Sequence, residues 1–486
     1  MNSKKSISRR AALKNLGTAG IAVAAFAPGG DTAAATGSRR PPSVSRSAEV
    51  RKTIFDRVHQ TPLIDTHEHL IEEKQRLQGP KPSLVPCDDW ALLLSHYLDS
   101  DLLTAGMPGA SLERFLSPNV DPVSKWDLIA PYWAAVKHTG YGQAVRLSIQ
   151  ELYGIEDLSA GGIEKVQTGY ERIRRAGFYR HLLNDIAKIE SCQVNCLTGE
   201  PFKESEMPEL LMQDLSIVGM FAGPNFKQLA RPTGIQVRTL EDWHRVIRWW
   251  FDRYSKYAVA VKSQHAYSRD IDYARVPAEQ ADPVFKKVLQ KDPITAEERK
   301  RLEDHLFWQA VGEATSRNLP VKLHTGYYAG QNSMPLSRLQ LNAGSAAELC
   351  RLSPETKFVF MHICYPFYEE LLAVAKQWTN AHVDMCWSWI INPVAAKDYL
   401  KKHIVTAPIN KLLPFGGDYI PVEPVIGHAA LARRGIALAL SELVEEGWLN
   451  LEDALNLADP ILHDNARRLF QLASKTETLK QAQWVR

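Results

Sequence analysis

Long apolar runs are what this sequence lacks most plainly. Beyond its first 35 residues no stretch approaches the ~20 consecutive apolar residues that a membrane span requires, so stable membrane insertion is not expected. Cysteine is scarce, with six in 486 residues (Cys87, Cys192, Cys196, Cys350, Cys364, Cys386), whereas disulfide frameworks belong to short secreted chains. No CxxC pair supports a cysteine zinc site. Cys192 and Cys196 fall on one face of an extended run, but roughly 13 Å apart, too far to bridge. Four of the six lie in or beside apolar runs, so buried free thiols are expected. Excess charge is missing as well. The formal net charge is +3, and residues 1–35 carry five basic residues and one acid; without them 53 cations face 54 anions, a net of −1. Such a balance leaves no electrostatic footprint for nucleic acid. No GxGxxG follows an apolar run, and no internal repeat or low-complexity tract occurs. With 45% hydrophobic and 23% charged residues, the remainder has ordinary globular composition.

What is present begins at the front. Ser8-Arg9-Arg10-Ala11-Ala12-Leu13-Lys14 precedes an apolar stretch from Leu16 to Ala27, then Pro28-Gly29-Gly30 and Ala33-Ala34-Ala35. A basic start, a short weakly apolar segment and small residues at a cleavage point make an export leader. Its paired arginines resemble the twin-arginine pattern, with Ala12 where a Phe is usual. Cleavage is expected after Ala35, because Pro28 disfavours the earlier Ala25-Phe26-Ala27. The expected location is periplasmic or secreted, and the expected partner there is the twin-arginine export machinery, which carries folded proteins.

Residues 36–57 read as a polar, proline-containing linker, residues 58–474 as one domain and residues 475–486 as a C-terminal tail. Within the domain, short apolar or β-branched runs alternate with helical periodicity. They are Leu63–Thr66, Ile189–Leu197, Leu215–Phe221, Ala258–Val261, Pro320–Leu323, Lys357–Met361, Ala381–Cys386 and Leu413–Phe415. Continuous apolar runs of this length suit strands buried on both faces of a parallel sheet. Eight of them alternating with helices predict an α/β fold, a (β/α)8 TIM barrel. A large helical insertion, about residues 70–188, follows the first strand, where it would form a lid or pocket wall. The Trp243, Val246, Ile247, Trp250 stripe has helical spacing and reads as core packing.

The chemistry sits at the ends of these runs. In Leu63-Ile64-Asp65-Thr66-His67-Glu68-His69 the two histidines lie at i and i+2, on one face of an extended chain, so both can grip one metal ion; neutral imidazole is a common ligand. Glu68 between them points to the opposite face. Pro320-Val321-Lys322-Leu323-His324 and Phe358-Val359-Phe360-Met361-His362 each end an apolar run in a histidine, and Pro414-Phe415-Gly416-Gly417-Asp418 ends the last in a carboxylate. The C-terminal ends of barrel strands are where catalytic groups of such folds collect.

The order HxH, His, His, Asp along eight strands resembles the amidohydrolase superfamily of metal-dependent barrels, over about residues 58–472. The branch most similar contains nodulin/FluG-type N-terminal domains and lies near uronate isomerases and metal-dependent decarboxylases. Supporting stretches are Val261-Lys262-Ser263 with Ala266-Tyr267-Ser268-Arg269, Gly416-Gly417-Asp418-Tyr419, and Ile461-Leu462-His463-Asp464-Asn465-Ala466-Arg467-Arg468-Leu469-Phe470. The resemblance implies His67, His69, His324 and Asp418 as metal ligands, with Asp418 also taking a proton from water that the cation acidifies. His362 would hydrogen-bond water or substrate, or ligate a second ion. Lys262 stands where two-metal members carry a carboxylated lysine; an unmodified amine, pairing with a carboxylate, is the preferred expectation. The ion would be divalent, zinc first, with manganese or iron as alternatives.

Around this set, Tyr327, Tyr328 and Asn332 follow His324 and could reach a polar substrate, and Arg269, after His265, could clamp a carboxylate. Trp387 follows strand 7. His463 reads as capping or packing. The expected activity is hydrolysis of a C–N or C–O bond in a small polar substrate. One alternative is decarboxylation or uronate-type isomerisation of a carboxylated substrate, which the Lys262–Arg269 neighbourhood favours. Another is a non-catalytic, metal-stabilised periplasmic binding protein. Oligomeric state stays open, a homo-oligomer included.

Overall fold

All eight apolar runs become parallel strands. They are β1 (Leu63–Glu68), β2 (Ile189–Val194), β3 (Leu211–Gln213, continued as Leu215–Ser216), β4 (Val261–Ser263), β5 (Val321–Leu323), β6 (Phe358–Met361), β7 (Ala381–Asp384) and β8 (Leu412–Leu413), each paired in parallel with its sequence neighbours. The computed structural model describes residues 44–485, apart from 82–83, 198, 222–225 and 332; the export leader and the front of the expected linker lie outside them.

Asp214 joins the two parts of β3. Its N–H donates to the Val194 carbonyl at 2.9 Å, and the Leu215 N–H donates to Ala260 at 2.9 Å, which carries the ladder across from β2 to β4. Three further backbone bonds join the segment after the last strand to the first strand: Thr66 N to Phe415 O (3.0 Å), Asp418 N to His67 O (2.9 Å) and His69 N to Tyr419 O (3.0 Å). The expected (β/α)8 strand order is therefore present, as a three-stranded and a six-stranded parallel sheet, and the two ends of the strand series meet at the residues that carry the candidate ligands.

Helices cover the ring. Helix α1 (Val44–Gln60) leads into β1. Helices α2 (Leu98–Thr104) and α3 (Gly140–Tyr153) belong to the insertion. The outer layer includes α4 (Leu240–Tyr254), α5 (Ala296–Ser316), α6 (Glu369–Gln377), α7 (Pro393–Thr406) and α8 (Glu423–Glu445). Capping boxes start α4 (Thr239 with Asp242) and α5 (Thr295 with Glu298), satisfying end N–H groups that would otherwise be orphaned. The Trp243–Trp250 stripe is buried as core.

Helix α3 lies directly on α8 because glycine permits it: a Cβ on Gly427 would stand 1.9 Å from the Ala144 carbonyl oxygen. Arg76, wholly buried, ties the start of the insertion to α8 through Asp88 (2.6 Å) and Glu423 (2.9 Å). Inside the ring, Ile64, Met212, Val259, Val359 and Leu413 pack with Leu469 and Phe470, forming an apolar floor below the polar layer.

Two boundaries differ from expectation. The linker expected through residue 57 is helical from Val44, because Ile54 and Val58, one helical turn apart, are both fully buried. The expected tail belongs to helix α9 (Leu472–Leu479), whose Leu479 is buried and whose Lys475 Nζ donates to the Ser255 carbonyl at 2.8 Å. The described residues form one compact unit.

Candidate metal centre

Each chemical residue of the site follows a strand end. His67 and His69 close β1, His324 follows β5, His362 follows β6, and Asp418 lies beyond β8, its N–H held by the His67 carbonyl. His362 and Asp418 adopt left-handed backbone conformations (φ 60° and 63°), as does Cys386 beyond β7 (φ 41°). Non-glycine residues at positive φ are uncommon and cluster at functional sites.

Asp418 is the hub. Its Oδ1 lies 3.0 Å from His67 Nε2 and 3.2 Å from His69 Nε2, while Oδ2 lies 3.9 Å from His362 Nε2. His67, His69 and Asp418 present ligand atoms within 4.8 Å of one another, a grouping able to hold a metal ion. The Asn195 carbonyl, 2.7 Å from His69 Nδ1, accepts the proton there and turns the Nε2 lone pair inward, as second partners of metal-binding histidines do. Gln264 Nε2 lies 3.1 Å from His69 Nε2. His362 is fully buried, yet neither of its ring nitrogens has a hydrogen bond; His67 Nδ1 is likewise unpartnered. Buried polar atoms without partners are costly, and here their donors fit a divalent cation.

The electrostatics agree. Burial, seconded by Lys262, pushes the His67 pKa well below its ordinary value; burial does the same for His362, so both rings are neutral, the form that ligates. Burial works against an ionised Asp418, but the surrounding histidines more than offset it and hold the carboxyl well below the usual range.

The remaining expected residues divide. His324 is beside the ligand group rather than in it: its Nε2 is 2.9 Å from the Tyr327 carbonyl, and its ring lies 4.5 Å from that of His362. Burial and Lys262 bring its pKa to about 3. Lys262 is wholly buried, with Nζ 2.7 Å from the Met361 sulfur, and burial lowers its pKa to about 8. A thioether is a weak acceptor, so the amine has no strong partner, and near pH 8 it becomes available as a base.

Arg269 is not free to clamp a substrate carboxylate. It bonds Asp304 (2.5 Å), Glu303 (3.1 Å) and Asp272 (3.2 Å) and lies over the Tyr273 ring; three acids from neighbouring segments already satisfy its fork. Tyr327 stays at the site through its carbonyl and through its ring, 5.8 Å from Trp387. The Tyr328 hydroxyl bonds the Ala266 carbonyl and Arg338, a structural role. His265 stacks on Phe221 at 4.0 Å. Asn332 lies outside the described residues. Glu68, turned away as expected, accepts the Tyr419 N–H at 2.6 Å, and His463 bonds Asp464.

Sequence reasoning expected a lid or pocket wall from the insertion but named none of the insertion residues that form it. Tyr97 donates its hydroxyl to the Asp418 carbonyl and stacks 4.7 Å from Trp387, and Trp387 meets the His362 ring edge-on at 5.6 Å. Tyr141 lies parallel to Trp387, and His96 is 6.2 Å from Tyr419. The insertion has no motif; only its position after β1 pointed to the site. The polar layer beneath was missed too. Lys322 Nζ bonds both Asp214 oxygens (2.9 and 3.0 Å) and the Thr66 carbonyl (2.8 Å), with both side chains fully buried.

Comparison with known proteins places these features in context. Residues 292–472 match the model of a family described as Amidohydrolase. Protein fluG of Emericella nidulans is 27% identical over 182 residues, 36% of this chain and only 20% of that protein's length. Among solved structures, the uronate isomerase of Thermotoga maritima superposes with a TM-score of 0.71 at 15% identity, covering 87% of this chain and 97% of that one. The glucuronate isomerase of Caulobacter crescentus gives 0.70 at 15% identity, over 90% and 96%. At these identities the structural likeness speaks for the fold alone.

Proposed function

We propose that the chain is a metal-dependent hydrolase of the amidohydrolase superfamily, whose family model matches residues 292–472, and that it cleaves a C–N or C–O bond of a small, uncharged polar substrate. The observation that carries this reading is the meeting of His67, His69 and Asp418 on one carboxylate oxygen. Those three residues would hold the ion, zinc first by their nitrogen and oxygen donors. When bound, a divalent cation polarises a carbonyl and makes water acidic near neutral pH.

The chain's own groups do the rest. Asp418 Oδ, kept ionised among the rings, accepts the proton from the attacking water. Lys262 Nζ, with its pKa lowered to about 8, holds or returns a proton on the same side of the centre. Neutral His362, on the Oδ2 side of Asp418, either orients water or substrate or ligates a second ion. Trp387, Tyr97, Tyr141 and Tyr327 form an aromatic wall that excludes water and favours a flat apolar part on the substrate.

Hydrolysis is favoured over work on a carboxylated substrate because Arg269, the expected carboxylate clamp, is committed to Asp304, Glu303 and Asp272. Isomerisation of a uronate is the second reading. The test is to incubate metal-loaded full-length chain with esters, lactones and amides on one side and uronates on the other. Hydrolysis adds one water to product mass; isomerisation leaves the mass unchanged, and turnover of uronates alone would overturn the proposal. An exported location is part of this reading and rests on residues 1–35.

A further inference from the structure

A second cluster shares the hub of the centre. His362, Cys386 and Asp418 bring a ring nitrogen, a thiol sulfur and a carboxylate oxygen within 4.8 Å of one another, all three buried. Asp418 uses different oxygens for its two neighbourhoods: Oδ1 faces His67 and His69, and Oδ2 faces His362. We propose that His362, Cys386 and Asp418 form a second metal half-site, bridged to the first through the Asp418 carboxylate and distinguished by a thiolate ligand. The inference rests on the metal-centre reading and deepens it.

A buried cysteine alone means little, since five of the six in this chain are buried. Cys386 differs in what it faces. His362 is fully buried with both ring nitrogens unpartnered, so its ring is open to share an ion with the thiol beside it. Tetrahedral zinc binds nitrogen at about 2.0 Å and sulfur at about 2.3 Å, so its ligand atoms stand roughly 3.5 Å apart. The His362–Asp418 separation of 3.9 Å is close to that. Glycine at 416 leaves room for the sulfur: a Cβ there would stand 2.8 Å from it. On binding, the thiol gives its proton to solvent or a nearby base and ligates as thiolate. A soft sulfur donor selects zinc, cobalt or cadmium over magnesium or manganese.

The test is cobalt titration of chelator-stripped full-length chain, followed by absorbance and by equilibrium metal content. The expected result is two bound equivalents per chain, the second bringing a near-ultraviolet thiolate-to-cobalt charge-transfer band. Cys386→Ser should lose that band and weaken the second equivalent roughly tenfold or more while keeping the first; Cys350→Ser, a buried thiol elsewhere, should change neither. An unaltered circular dichroism spectrum and melting temperature would show that Cys386→Ser has folded. One equivalent only, with or without the band, overturns the second half-site and leaves the first standing. Two equivalents with the band intact in Cys386→Ser overturn it too. No bound cobalt in the wild type overturns both readings together.

Discussion

Replacing Lys322 by Met tests whether the polar layer below the metal centre holds the ring together. Lys322 and Asp214 are both fully buried, and the ammonium also bonds the Thr66 carbonyl, one residue before His67. Methionine keeps most of the volume over the Phe470 ring, which lies 4.9 Å from Nζ, so packing changes little. What remains is a buried carboxylate without its partner, and breaking such a pair costs about 3–5 kcal/mol. For a folded unit described over residues 44–485, unfolding entropy of about 2.1 cal/mol/K per residue turns that into a melting-temperature loss of roughly 3–5 °C.

The loss should depend on pH with a definite sign. Burial already raises the Asp214 pKa despite Lys322, and removing the ammonium raises it further. A carboxyl with a raised folded pKa stabilises below its unfolded value and loses that contribution as pH rises through the folded one. The deficit should therefore be larger near pH 8 than near pH 5. Asp214→Asn combined with Lys322→Met should recover most of it, because no unpaired charge is left. Calorimetry at both pH values reads all three variants. A shift below about 1 °C, or one that does not change with pH, would refute the argument.

Other consequences follow from single contacts. Gly417→Ala would put a Cβ 1.9 Å from Glu68 Oε1; it should displace the Tyr419 N–H contact, move Asp418 and abolish tight metal binding, read by metal content after dialysis. His403 is fully buried and burial lowers its pKa to about 4. Its neutral form stabilises above the unfolded value of about 6.5, and about 2 kcal/mol is lost by pH 5 as pH falls towards the folded value. His403→Phe should then lessen the drop in urea midpoint between pH 7 and pH 5. Arg269→Gln should lower the melting temperature yet leave KM for uncharged substrates within about twofold, because the residue is a strut and not a clamp; a large KM rise would restore it to the pocket. N-terminal sequencing of protein recovered from the exporting host should begin at Thr36; an intact leader on active protein would contradict export.

The barrel was legible because each strand is buried on both faces. A run such as Phe358–Met361 therefore stands out as a continuous apolar stretch, and a histidine ending it marks itself. His67, His69 and Asp418 were readable for that reason. His324 stands beside that group, with its Nε2 2.9 Å from the Tyr327 carbonyl, because sequence gives the strand end but not the side-chain direction. The ion pairs of Arg269 were not legible, because Glu303 and Asp304 lie on α5, more than thirty residues away, where no local pattern connects them. The aromatic wall from Tyr97 and Tyr141 was invisible for a similar reason: helical insertions carry packing periodicity but no ligand spacing. The Asp214–Lys322 pair, hidden inside apolar runs, could not be distinguished from strand-end charges facing water.

The most direct test of the central claim is metal content per chain, measured on protein folded in its native host, beside the variants His67→Asn, His69→Asn and Asp418→Asn. The account predicts at least one tightly held divalent ion in the wild type, loss of that ion in each variant, and circular dichroism spectra that match. A wild type without tightly held metal, or variants that keep a full complement, would contradict it.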